Sequence, residues 1–133
     1  MHLINFQARY APAVLDGSKP HTIRARRSDG RNPQPGDTLR LYTGLRTKQV
    51  RLLRQEVCEY VVEVTILPPM ADRIPQVFLG DRLLTADQVN ELARGDGFED
   101  WRDFVAFFQD LYGLPFTGNL IGWSAMPTYI RLQ

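Results

Sequence analysis

Between Gly17 and Arg24 the chain reads Gly-Ser-Lys-Pro-His-Thr-Ile-Arg, and three of these side chains could do chemistry together. Lys19 carries an amine, Thr22 a hydroxyl three positions later, and Arg24 a permanent cation two positions beyond that. A hydroxyl attacks an amide carbon well only when a base takes its proton, and an amine can serve as that base only when it is neutral. An ordinary lysine, with a pKa of about 10.4, is charged at neutral pH, so burial or cationic neighbours would have to bring Lys19 down to roughly 7–8. Arg24, Arg26 and Arg27 are the cations that follow it in sequence. The same pair has a second use with no chemistry in it: Lys19 holds a phosphate or a base edge as a cation while Thr22 hydrogen-bonds to backbone in a turn.

The elements around this stretch have to present it. Leu3–Phe6 reads as a short strand. Arg9–Asp16 reads as a helix with Pro12 in its first turn and Gly17 as its stop. Pro20 biases Lys19 toward extended backbone, and Thr22-Ile23-Arg24 suits a strand. Alternation then places Thr22 and Arg24 on one face and turns His21 away from Thr22, which makes His21 a non-catalytic residue.

Downstream, Ser28–Gly36 has loop composition, and Pro35-Gly36-Asp37 turns into a strand at Thr38–Thr43, where Leu39 and Leu41 alternate with Arg40 and Tyr42. A β-type alternation runs from Val50 to Ile66 and includes Cys58, Tyr60, Val62 and Val64. Val77–Leu84 reads as a hairpin about Gly80-Asp81. Thr85 and Gln88 form a capping box for a helix through Ala93, and Glu99–Tyr112 is a second helix with Trp101, Phe104 and Phe108 on its core face. Asp96 lies in the Arg94–Phe98 loop between them. Asn119–Trp123 and Thr128–Leu132 are expected as closing strands. This order predicts a single α+β domain over residues 1–133: a small, bent β-barrel with a short N-terminal helix and two helices inserted in the C-terminal half. A doubly wound fold is disfavoured, because helices and strands do not alternate and no glycine-rich loop follows a strand.

Composition narrows the class further. With 44% hydrophobic and 23% charged residues the chain is of globular type, and with no signal-like or membrane-spanning stretch it is expected to be cytoplasmic. The single cysteine cannot form an internal bridge, and two histidines with one thiol assemble no zinc-type spacing, so neither a metal nor any other cofactor is expected. The net charge of +1 hides an asymmetry: residues 1–54 hold eleven Lys and Arg against three acids, and residues 55–133 hold five against twelve. Arg26, Arg27, Arg31, Arg40, Arg46, Lys48, Arg51 and Arg54 are therefore candidates for the phosphates of an RNA partner, and Tyr42, Phe98 and Tyr112 for stacking on an unpaired base.

Three motifs in order, Gly-x-Lys-x-x-Thr-Ile-Arg at residues 17–24, Pro-Gly-Asp at 35–37 and Asp-Gly-Phe at 96–98, resemble the ASCH domain family, relatives of the PUA-like barrels. The resemblance spans nearly all of residues 1–125 and implies a β-barrel cleft that faces RNA or nucleosides derived from it. One bacterial branch of that family, similar at the Lys-x-x-Thr spacing, hydrolyses the amide of N4-acetylcytidine with a Lys, a Thr and a Glu; another has been described as cleaving single-stranded RNA. Carried over by position, the resemblance implies Thr22 as nucleophile, Lys19 as base and Asp96 as the orienting acid. Here the sequence departs from the hydrolases: Asp96 is one methylene shorter than their Glu and lines up with it only after a one-residue shift, and Glu99 and Glu91 are the alternative acids for the role. Arg24, Tyr42, Phe98, Arg26 and Arg27 are the expected substrate-binding residues. Three functions stay open: an amidohydrolase acting on N4-acylated cytidine, a non-catalytic RNA-binding module, and a metal-independent ribonuclease in which Lys19 stabilises the charged phosphate.

Overall fold

The computed structural model describes residues 1–131, and its strands follow the period-two patterning. Leu39 and Leu41 are fully buried on β3 (Thr38–Thr43), which is flanked by β1 (His2–Phe6) in parallel and β4 (Arg51–Val57) in antiparallel pairing. The second sheet is antiparallel throughout, in the order β2 (His21–Arg24), β8 (Phe116–Gly122), β5 (Tyr60–Ile66), β6 (Val77–Leu79), β7 (Arg82–Leu83). Among the described residues the hydrogen bonds thus make two sheets of eight strands rather than one closed ladder, and with three helices the class is α+β.

The β-type alternation from Val50 to Ile66, continuous in sequence, breaks at Cys58-Glu59, where the chain changes sheet. Cys58 N–H donates to the Asp37 carbonyl while Glu59 N–H donates to that of Gly122, so adjacent residues are tied to different sheets. Cys58 is buried, as its place in the pattern suggests. The predicted hairpin is present as β6 and β7.

The N-terminal helix is shorter than the pattern predicts: a 3-10 turn at Ala8–Tyr10 leads into α1 (Ala11–Asp16), with Tyr10 and Val14 buried. Gly17, at φ 85°, ends it in the left-handed conformation, which a residue bearing Cβ adopts at a cost. The Lys19 N–H then bonds back to the Ala13 carbonyl and fixes where β2 begins.

Thr85 and Gln88 form the predicted reciprocal cap on α2 (Ala86–Gly95), and Asp100 caps α3 (Trp101–Leu111) by accepting from the N–H groups of Arg102 and Asp103. Phe104 and Phe108 are buried in an aromatic cluster with Phe98, and Trp101 is half-buried against it. No helix among the described residues is long and apolar enough to cross a membrane.

Two expectations need correction. Residues 128–131 form a turn, with Ile130 N–H bonded to the Pro127 carbonyl, and not the expected strand; Leu132 lies outside the described residues. The helix expected to stop near Ala93 continues to Gly95, so Asp96 is its C-terminal cap residue rather than part of a free loop. Arg82 anchors the C-terminal turn by donating to the carbonyls of Tyr129 and Ile130, 3.3 and 2.9 Å away.

Candidate active site

Strand β2 and the end of α2 meet in the interior. Lys19, Thr22 and Asp96 are 3%, 4% and 3% exposed, unusual burial for such polar groups, and all three line one cavity of about 210 Å³. That volume is below the roughly 300–1,000 Å³ of drug-sized ligand sites and suits a single ring with a small substituent. Phe6, Tyr10, Phe98 and Tyr112 supply aromatic wall.

The Lys19 ammonium donates to the backbone carbonyl of Asp96 at 2.6 Å and to its carboxylate Oδ1 at 3.1 Å. The rings of Tyr10 and Phe6 lie 5.4 and 5.6 Å from it, within cation–π range. Burial lowers the Lys19 pKa from the ordinary lysine value; the Asp96 carboxylate opposes this, and Arg24 adds to it. The net direction is the one that a basic amine requires.

Thr22 is not hydrogen-bonded to Lys19 among the described residues. Its Oγ1 accepts from Arg24 Nε at 3.1 Å, so the hydroxyl proton is free to point elsewhere. Arg24 also donates to the Asn5 carbonyl at 2.7 Å and lies 5.0 Å from the Phe6 ring. It pairs with neither Asp37 nor Asp96: Asp37 is bound by His2 and by the Gln34 N–H. Burial pulls the Arg24 pKa below its usual value.

His21 does face away from Thr22, in agreement with strand alternation, yet it belongs to the same cluster. Its Nδ1 is 3.0 Å from Asp96 Oδ1 and its Nε2 2.8 Å from the Tyr129 hydroxyl, with the ring completely buried. One carboxylate oxygen thus serves both Lys19 and His21. Nothing in the sequence pattern marks Tyr129 as its partner, because that contact spans 108 positions.

Comparison with protein-family models, curated proteins and solved structures finds no match.

Of the other expected site residues, Phe98 lines the cavity from within the aromatic cluster. Tyr112, 45% exposed and stacked on Phe116 at 4.6 Å, stands at the rim. Tyr42 lies on β3, half-buried and outside the lining of the cavity. Arg26 is paired with Glu63 away from the cavity, Arg27 is held by Asp29, and Arg54 by Glu56, so three members of the basic half are matched by carboxylates. Glu91 and Glu99 contribute nothing to the cavity lining. No group of three metal-ligating side chains occurs among the described residues. Asn119, which sequence reasoning passed over as strand filler, is 8% exposed on β8 directly across from Arg24.

Proposed function

We propose that this chain is an ASCH-like domain of PUA-like, bent-barrel type, and that it hydrolyses the amide of N4-acylated cytidine. The observation that carries the reading is the placement of a buried amine of lowered pKa and a hydroxyl on the wall of one base-sized, aromatic-lined cavity. Order of motifs and resemblance supply the substrate.

The acylated base enters between Tyr112 and the Phe98 side of the cavity, with its acyl carbonyl over Thr22. Neutral Lys19 accepts the Thr22 proton as Oγ1 bonds to the acyl carbon. The bond from that carbon to N4 then breaks, and Lys19 returns the proton to the departing cytosine amine. Water next attacks the acyl ester, giving up a proton to Lys19 that passes to Thr22 as the carboxylic acid leaves. Arg24, already donating to Oγ1, stabilises negative charge as it develops. Asp96 holds the amine through two hydrogen bonds, and Lys19 acts as base when it gives up part of that hold for the Thr22 hydroxyl. Such contacts commonly tighten when substrate binds.

The test is turnover of N4-acetylcytidine by the purified protein across about pH 6–9. Cytidine and acetate are expected from the wild type, and none above background from Thr22→Ala. Absence of turnover throughout that range contradicts the reading. One observation favours a second reading, a non-catalytic RNA-binding module: the Lys19 ammonium is bonded to Asp96 and not to Thr22. Its signature is salt-sensitive RNA affinity that Thr22→Ala leaves unchanged.

A further inference from the structure

A second cavity, of about 230 Å³, adjoins the first; it shares Asn5, Arg24 and Tyr112 with it and adds Arg27, Asn32 and Asn119 to its wall. Two polar groups there lack what buried polar groups normally have. Asn119 is 8% exposed and its carboxamide makes no hydrogen bond among the described residues. The sealed, unpartnered side-chain atoms among those residues are Tyr60 Oη and Arg82 Nε alone, so the Asn119 amide opens on the cavity. Buried amides are almost always paired, and one left open on a cavity awaits a partner.

Arg24 is the other. Its bonds go to neutral oxygens of Thr22 and Asn5, and no carboxylate stands within ion-pair distance among the described residues. A largely buried guanidinium without a contacting counter-charge is costly, and an anion in either cavity would compensate it. The surrounding acids are already taken: Asp96, whose charge reaches Arg24 from beyond ion-pair distance, holds Lys19 and His21, Asp29 holds Arg27, Asp37 is bound to His2, and Glu63, which pairs across from Asn119 on β5, is bound to Arg26. The cavity is therefore left with the charge of Arg24. A third cavity continues past His2 and Arg27 to Arg31 and Arg46, whose side chains have no acidic partner among the described residues.

The geometry points to the second cavity as a ribose-phosphate subsite, in which Arg24 takes a phosphate oxygen and Asn119 a sugar hydroxyl or a further phosphate oxygen. This rests on the first cavity holding a cytosine, to which the sugar is attached. The preferred substrate is then a nucleotide, bound more tightly than the nucleoside that carries the same base, either a mononucleotide or one residue of an RNA strand whose next phosphate lies near Arg31 and Arg46.

Ribose 5-phosphate probes the subsite without the base. Titrated into isotope-labelled wild-type protein, it is expected to shift the side-chain amide resonance of Asn119, and Asn119→Leu is expected to lose the binding. Asn119→Asp, which keeps the shape and adds a negative charge, is expected to abolish the preference of the wild type for cytidine 5′-monophosphate over cytidine, a factor of about ten or more for one charge-assisted contact. Ribose 5-phosphate that fails to bind, or binds equally to all three proteins, overturns the subsite. If it binds through Asn119 while no acylated cytidine is hydrolysed, the subsite stands and the assignment of the first cavity falls. A short oligocytidylate that binds more tightly than the mononucleotide, with the gain lost in Arg31→Ala, identifies the strand as the source; equal affinities identify the free nucleotide.

Discussion

Lys19 and Asp96, 77 positions apart, are joined twice: the ammonium meets the carbonyl oxygen at 2.6 Å and the carboxylate at 3.1 Å. The helix cap and the base candidate are thus one unit. Lys19, two residues ahead of β2, gains a fixed position because α2 ends beside it and turns the Asp96 carbonyl and carboxylate toward its ammonium, at the helix end where a cation is favoured.

The lowered Lys19 pKa gives a pH dependence of defined sign. If neutral Lys19 is the base, kcat/KM rises with pH through its pKa, below the ordinary value of 10.5, and levels off above it. Lys19→Arg removes the rising limb along with the activity, since a guanidinium cannot deprotonate in this range. A pH–rate series on both proteins checks this.

Asp96 is the shared acceptor of two buried groups, so truncating it strands both. Asp96→Ala is expected to cost about 3–5 kcal/mol, the usual penalty for breaking a buried pair on one side. Asp96→Asn keeps an acceptor for Lys19 and should cost less. Urea unfolding at neutral pH measures both.

Burial of Lys19 also leaves a mark on stability. Its folded pKa is below its unfolded one, so between the two the unfolded chain binds more protons and stability rises with pH. Tyr60 and Tyr129, whose pKa values burial raises, act in the opposite sense above about pH 10, where the unfolded tyrosines ionise first. Over the pH range just below the ordinary lysine value of 10.5, Lys19→Met should therefore show a flatter stability profile than the wild type, by denaturant unfolding at a series of pH values.

Gly95 makes room for the His21–Tyr129 contact. A Cβ there would overlap the Tyr129 hydroxyl and come within 2.9 Å of His21 Nε2. Gly95→Ala is expected to cost about 1–3 kcal/mol by overpacking and to separate Tyr129 from His21. Thermal unfolding and the Tyr129 titration, followed by its ultraviolet absorbance, report the two effects.

What the sequence disclosed is what local rules govern. Period-two burial located β3, the capping box located α2, and alternation put Thr22 and Arg24 on one face, as their hydrogen bond requires. What it hid is what tertiary folding decides. The break at Cys58-Glu59 is invisible to alternation, because both flanking strands bury apolar residues. His21 was set aside since it faces away from Thr22, but a carboxylate from α2 reaches around to it. The charge asymmetry overstated the free basic surface, because Arg26, just past β2, finds Glu63 on β5 of the same sheet, 37 positions away. Asn119 carries no local signal at all; only the register of β8 against β2 places it beside Arg24.

If Thr22 is the nucleophile it becomes covalently acylated, and acid quenching of the wild-type protein within its first turnovers on N4-acetylcytidine traps that ester. Peptide mass spectrometry is expected to find an acetyl ester on Thr22, absent from Thr22→Ala, which releases no cytidine. Cytidine release that continues unchanged in Thr22→Ala, with no adduct on the wild type, would contradict that role.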